Sequence, residues 1–179
     1  MILALNNQFR RIRDLNHEDV PTLMDWDNDP DLFALTGKKF HQDITEHDWW
    51  DNLIRDRTRL MFAIVDDCGR LIGDVEILQI LWRAREAEVR ISIGDKSFWN
   101  RGFGTEALNE ALYAAFHFLS LDRVYLRVRV DNLRAIKSYQ KAGFRSVGRL
   151  EPTGRLSGQT ALQLMEVTRH HFFPESARA

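Results

Sequence analysis

The chain runs to 179 residues, 44% of them hydrophobic, which suffices for one domain with a sizeable core and falls short of two ordinary ones. A formal charge of −1 gives no overall attraction to phosphate backbones or acidic lipid, so neither nucleic acid nor a membrane is an expected partner. The single cysteine, Cys68, excludes an internal disulfide and a cysteine-rich metal site.

The apolar opening Met1–Leu5 is too short for a secretory leader, and no run reaches the ~18 to 20 apolar residues of a membrane span. The expectation is one cytoplasmic domain over residues 1–179. Phe9–Arg13 reads as a first strand, and Val20, Leu23 and Met24 with Trp26 or Asp27 as a short helix. Thr45-Glu46-His47-Asp48 fits a capping box, after which Trp49, Trp50, Leu53 and Ile54 follow at helical spacing. Three strands come next: Leu60–Val65, then Leu71–Ile80 after a turn at Asp66-Asp67-Cys68-Gly69, then about Glu86–Gly94. From Thr105 to Leu119 apolar residues recur every three to four positions, giving one stripe to lay against a sheet. Val124, Leu126, Val128 and Val130 alternate with Arg123, Tyr125, Arg127 and Arg129, the period of a strand with one buried face. A last helix, Leu133–Ala142, stops at Gly143, and Phe144–Leu150 and Ala161–Thr168 close the chain as strands. That order predicts an α/β fold, a mixed sheet with helices packed on its faces.

Charge is uneven along the chain: 11 Asp and Glu against 5 Lys and Arg through Asp51, and 15 against 20 beyond it. Such a division suits a cationic substrate on one side and an anionic cofactor on the other, and equally an ordinary solvated surface. His117 and the pair His170-His171 form no metal-ligand spacing, so no metal is expected. Trp26, Trp49 and Trp50 offer aromatic faces for a cation, or core packing.

Two segments carry chemistry. In Phe98-Trp99-Asn100-Arg101-Gly102-Phe103-Gly104-Thr105, glycines fall where backbone approaches a ligand closely, just ahead of a helix whose free N–H groups and dipole favour a diphosphate. The loop lacks the Lys-Ser/Thr ending of a P-loop and the third glycine of the dinucleotide fingerprint, and two glycines before a helix also make an ordinary tight turn. In Asp131–Phe144, Asn132 stands at a helix cap, and Asn132, Ala135 and Tyr139 share one helical face over roughly 10 Å along which a linear ligand fits.

Arg85–Ala107 and Asn132–Phe144, in that order, resemble the two signature segments of the GNAT superfamily of acyl-CoA N-acetyltransferases, in its RimJ/RimL-like branch, which includes spermidine acetyltransferases. Trp99 departs from the Gln or Arg usual at that point in the wider superfamily and is common in this branch. The resemblance implies a GNAT fold and acetyl-CoA as cosubstrate. It implies that the amides of Arg101, Gly102, Phe103, Gly104 and Thr105 hold the pyrophosphate, that the strand at Ile91 and Ile93 pairs with the pantetheine arm, and that Asn132, with Ala135 on the same face, lies against that arm. Tyr139 then protonates the departing thiolate.

An attacking amine must first be uncharged, which calls for a base. Glu88, sharing a strand face with Arg90 and Ser92, is the candidate; Glu86, a water chain, or a plain ion-pair role for Glu88 are alternatives. The expected reaction is direct attack by a primary amine in a ternary complex, with polyamines ranked first, then protein N-termini, then aminoglycosides or amino sugars. A non-catalytic CoA-responsive protein and a transferase of longer acyl groups are the rivals, and a homodimer is the commonest assembly for such a chain.

Overall fold

A computed structural model describes residues 8–37, 44–153 and 160–173. Strand β1 (Ile12–Asp14) leads to three helices, α1 (Val20–Asp27), α2 (Pro30–Thr36) and α3 (Glu46–Arg55). Strands β2 (Leu60–Val65), β3 (Leu71–Leu81) and β4 (Glu86–Ile93) follow, then α4 (Phe103–Tyr113), β5 (Arg123–Arg129), α5 (Leu133–Lys141), β6 (Arg145–Leu150), β7 (Leu162–Thr168) and the single turn α6 (Arg169–Phe172). The strands form one seven-stranded sheet in the order β1-β2-β3-β4-β5-β7-β6. Every pairing is antiparallel except β4 with β5, so the expected mixed sheet is present with one parallel seam.

Alternation along the strands sends apolar side chains to both faces. Phe62, Ile64, Val75, Val89, Leu126 and their neighbours meet Ala107, Leu108, Ala111 and Leu112 of α4 in the larger core. On the opposite face Met61 and Ala63 pack with Leu23 of α1 and Leu53 of α3, and Trp26, Trp49 and Trp50 close over that smaller cluster. Each side chain fully buried in this way contributes roughly 1.5–3 kcal/mol.

Several boundaries depart from expectation for identifiable reasons. The first strand begins at Ile12 because Glu110 of α4 takes the amides of Arg10, Arg11 and Ile12 onto its carboxylate, which occupies the donors that open the strand. Helix α2 was not foreseen, yet its ends are written locally: Asp29 accepts from the amides of Asp31 and Leu32, Pro30 takes the first helical position, and Gly37 stops it at φ 65°. Its seven residues are too few to show a period. The long helix starts two residues early and after Tyr113 widens into a π turn over Ala114–Phe118, with the Leu119 amide bonding to the Ala114 carbonyl. At α3 the Thr45 hydroxyl accepts from the Asp48 amide, so the capping hydroxyl acts as read.

Two joints fix the elements around the seam. Gly94, just past β4, lies against the Trp26 indole so closely that a Cβ there would fall 1.9 Å from the ring. Lys96 bridges to Asp29 at 2.9 Å and Asp31 at 2.7 Å, tying the start of α2 to the turn after β4.

Candidate active site

The parallel seam is short. β4 and β5 are in register only at Glu86 with Arg123, Ala87 with Val124 and Glu88 with Tyr125, after which the strands diverge. β4 stays paired to β3 as far as Ile93, so one edge of Val89–Ile93 is left without a strand partner. A cleft of about 800 Å³ fills the gap. It runs from Asn100, Gly102 and Gly104 at the start of α4, past Asn132 and Tyr139 of α5, to a wall made by Leu32–Gly37 of α2 and its end.

At the α4 end the backbone is bare. Gly102 holds φ 91°, the left-handed region that suits glycine, and no side chain caps the helix. Among the described residues the amides of Arg101, Gly102, Phe103 and Gly104 make no hydrogen bond, while Thr105 and Glu106 turn theirs back to the Gly102 carbonyl at 3.0 Å. Of these four residues Gly102 and Gly104 line the cleft and Arg101 and Phe103 do not, and Thr105 lines it with its hydroxyl on Ser138 at 2.5 Å. A Cβ on Gly104 would clear Ile93 at 3.6 Å, so the protein's own packing leaves room there that an occupant of the cleft can use.

The side chain of Arg101 lies over the rings of Phe98 and Phe103, at 4.9 and 5.5 Å, and lines none of the cleft; the further positive charge expected from it is absent there. Arg134 takes that place, 3.9 Å over the Trp99 ring, its pKa lowered by burial. A cation in the first turn of a helix opposes the helix dipole, which is the one sequence signal that pointed to it. Phe103 is itself buried beneath Arg11, whose guanidinium stands 4.4 Å from the ring and bonds to Glu106 and Asp67. The Trp99 indole donates to the Ile93 carbonyl at 2.8 Å, anchoring the loop to the end of β4.

On α5, Asn132 both caps and faces the cleft. Its Oδ1 accepts from the Ala135 amide at 3.2 Å, which leaves Nδ2 as a donor beside Ala135. The Tyr139 ring packs on the larger core while its hydroxyl makes no hydrogen bond among the described residues. Burial pushes its pKa up to about 12, against a smaller opposing effect of Arg134. The phenol therefore stays protonated at neutral pH.

Glu88, the expected base, is 4% exposed, and its two oxygens accept from Arg127 at 3.1 and 2.6 Å. Arg90, Arg127 and Arg129 line the same part of the cleft, a concentration of guanidinium that reading the strands one at a time did not reveal. Trp26, Trp49 and Trp50 take the packing alternative, and Asp29 and Asp31 are held by Lys96; none of these lines the cleft. Among the described residues no cluster of His, Cys, Asp and Glu is placed to hold a metal ion, and no helix is long and apolar enough to cross a membrane.

Residues 10–145 match the model of the acetyltransferase (GNAT) domain. A spermidine N(1)-acetyltransferase of Vibrio cholerae is 28% identical over 147 residues, 82% of this chain and 84% of its own. The L-amino acid N-acetyltransferase AaaT of Escherichia coli is 30% identical over 129 residues, 70% of this chain and 74% of its own. The crystal structure of the Vibrio cholerae spermidine N-acetyltransferase in complex with CoA and spermine superposes with a TM-score of 0.80 at 24% identity, covering 90% of this chain and 96% of that one.

Proposed function

We propose that this chain, which belongs to the GNAT acetyltransferase family, transfers an acetyl group from acetyl-CoA to a primary amine. The observation that carries the reading is a single cleft along which the free amides of Gly102 and Gly104, an unpaired strand edge and a protonated phenol succeed one another. When bound, acetyl-CoA would supply its acetyl group as a thioester, whose C–S bond breaks as the amine's N–C bond forms, with the nitrogen's surplus proton leaving through water.

The residues present fit that donor. The amides of Arg101, Gly102, Phe103 and Gly104 hold the pyrophosphate, with Arg134 as the neighbouring cation. Ile91 and Ile93 on the free edge of β4, and the Asn132 Nδ2 beside Ala135, offer peptide-like partners to the amide-bearing arm. Tyr139 holds its proton on Oη and offers it to the leaving sulfur. A phenol at about 12 does not yield that proton outright to a thiolate, whose conjugate acid lies near ~8.5, so it stabilises the sulfur first as a hydrogen-bond donor. Glu88 enters in a changed role: with both oxygens on Arg127 it fixes the guanidinium and is a poor acceptor for the amine's proton. Cys68 is exposed in the β2–β3 turn and does not line the cleft, which supports direct transfer without an acyl-enzyme.

Spermidine is the first acceptor to test, given the likeness to spermidine enzymes, and protein N-termini and amino sugars complete the panel. Purified protein with acetyl-CoA is expected to release thiol only when an amine is present, with acetylated amine found by mass spectrometry. Tight CoA binding without turnover on any amine would return the chain to the class of CoA-responsive binding proteins. Size-exclusion chromatography tests assembly as a homodimer or larger multimer.

A further inference from the structure

We infer that the acceptor this site prefers carries an oxyanion, a carboxylate or a phosphate, tethered a few bonds from its amine. This rests on the acetyltransferase reading above and names the substrate class for it. The floor of the acceptor half is the polar face of β4 and β5, where alternation brings Glu88, Arg90 and Ser92 beside Arg127 and Arg129.

The charges on that floor do not cancel. Glu88 spends both oxygens on Arg127. Arg129 is matched by Asp131, at 3.0 and 2.7 Å, and reaches Thr160 at 2.9 Å. Glu151, the remaining carboxylate of the lining, pairs with Arg149. Arg90 alone is left over, with no ion pair or side-chain hydrogen bond among the described residues. Its cross-strand neighbour Glu76 is engaged by Arg59 at 2.7 Å.

So, among the described residues, this half of the lining presents an uncommitted guanidinium and no uncommitted carboxylate. Among the described residues of the acidic first third no carboxylate lines the cleft, and Asp29 and Asp31 are bound to Lys96. A polyamine would bring several ammonium groups against the unmatched charge of Arg90. An amine with a neighbouring oxyanion answers Arg90 instead, since a guanidinium fork matches carboxylate or phosphate oxygens. The anion also lets the nitrogen reach the Tyr139 end without a free acid to draw it there.

The test compares kcat/KM at saturating acetyl-CoA for spermidine, an L-amino acid, the same amino acid as its carboxamide, ethanolamine and phosphoethanolamine. The amino acid or phosphoethanolamine is expected to exceed its neutral counterpart at least tenfold and to exceed spermidine, and whichever pair differs more identifies the oxyanion. Arg90→Gln is expected to reduce the preference to threefold or less by raising KM for the anionic acceptor more than for the neutral one; Arg90→Lys, which keeps the charge, retains part of it. Should Arg90→Gln fail to fold, the wild-type ranking decides. A wild-type preference for spermidine, or equal use of the anionic and neutral members in both pairs, overturns the inference and leaves the transferase reading intact. No turnover of any amine sinks both.

Discussion

The two ends of the cleft are built from different materials. At the α4 end the groups that face it are mostly backbone: the free amides of a left-handed Gly102 and a Cβ-free Gly104, held from behind by Arg11, Phe103 and Glu106. At the α2 end they are side chains drawn from strands and loops far apart in sequence, with one guanidinium left without a partner. Backbone recognition depends on a local chain path and reads a feature common to all donors of one kind. Side-chain recognition depends on which residues tertiary structure brings together, and is free to vary between relatives that share the donor.

Tyr139, where the ends meet, gives the largest expected effect: Tyr139→Phe lowers kcat by about 10²- to 10⁴-fold with KM for acetyl-CoA little changed, read from initial rates. Equal activity would remove the phenol from the chemistry. Gly104→Ala comes next. Because a Cβ there meets only Ile93, at 3.6 Å, thermal stability stays near wild type while affinity for CoA drops by roughly 10- to 100-fold, the worth of one or two charge-assisted hydrogen bonds, by calorimetry. A loss of affinity for the amine instead would reverse the assignment of the two ends. Gly94→Ala drives a Cβ into the Trp26 ring and costs about 1–3 kcal/mol of stability, and Trp26→Ala in the same chain recovers part of it in a double-mutant cycle.

The smallest effects are in pH profiles. With its pKa raised to about 12, Tyr139 keeps its proton as pH climbs and loses it only near that value, so kcat shows no fall from this group between pH 8 and 10. A decline centred near pH 10 that disappears in Tyr139→Phe would contradict the buried phenol. Glu88→Gln is expected to leave the acid limb of kcat/KM where it was; loss of that limb would restore Glu88 as the base.

The same contrast explains what could be read before the structure was known. The mixed sheet, the helix that opens at the cofactor loop and the face shared by Asn132, Ala135 and Tyr139 all follow from short-range rules: alternation, helical period and the conformational demands of Gly102. The alignment of Arg90 and Arg127 on one floor follows from the parallel pairing of β4 with β5, two strands separated by a helix of 11 residues and its flanking turns, and no local pattern encodes it. Glu88 was seen as a carboxylate on a strand face, but its partner lies 39 residues away. Arg134 was passed over because a basic residue on an exposed helix face is ordinary until Trp99 is found beneath it.

Three ladder pairs join β4 to β5 across the middle of the sheet, with the Glu86–Arg123 and Glu88–Arg127 ion pairs beside them. The molecule thus resembles a book with a short spine, and whatever slides between the open pages adds rungs to a ladder the chain left unfinished. Filling the gap is expected to stiffen both covers at once, slowing amide exchange in Val89–Ile93 and raising the melting temperature in proportion to the logarithm of ligand concentration.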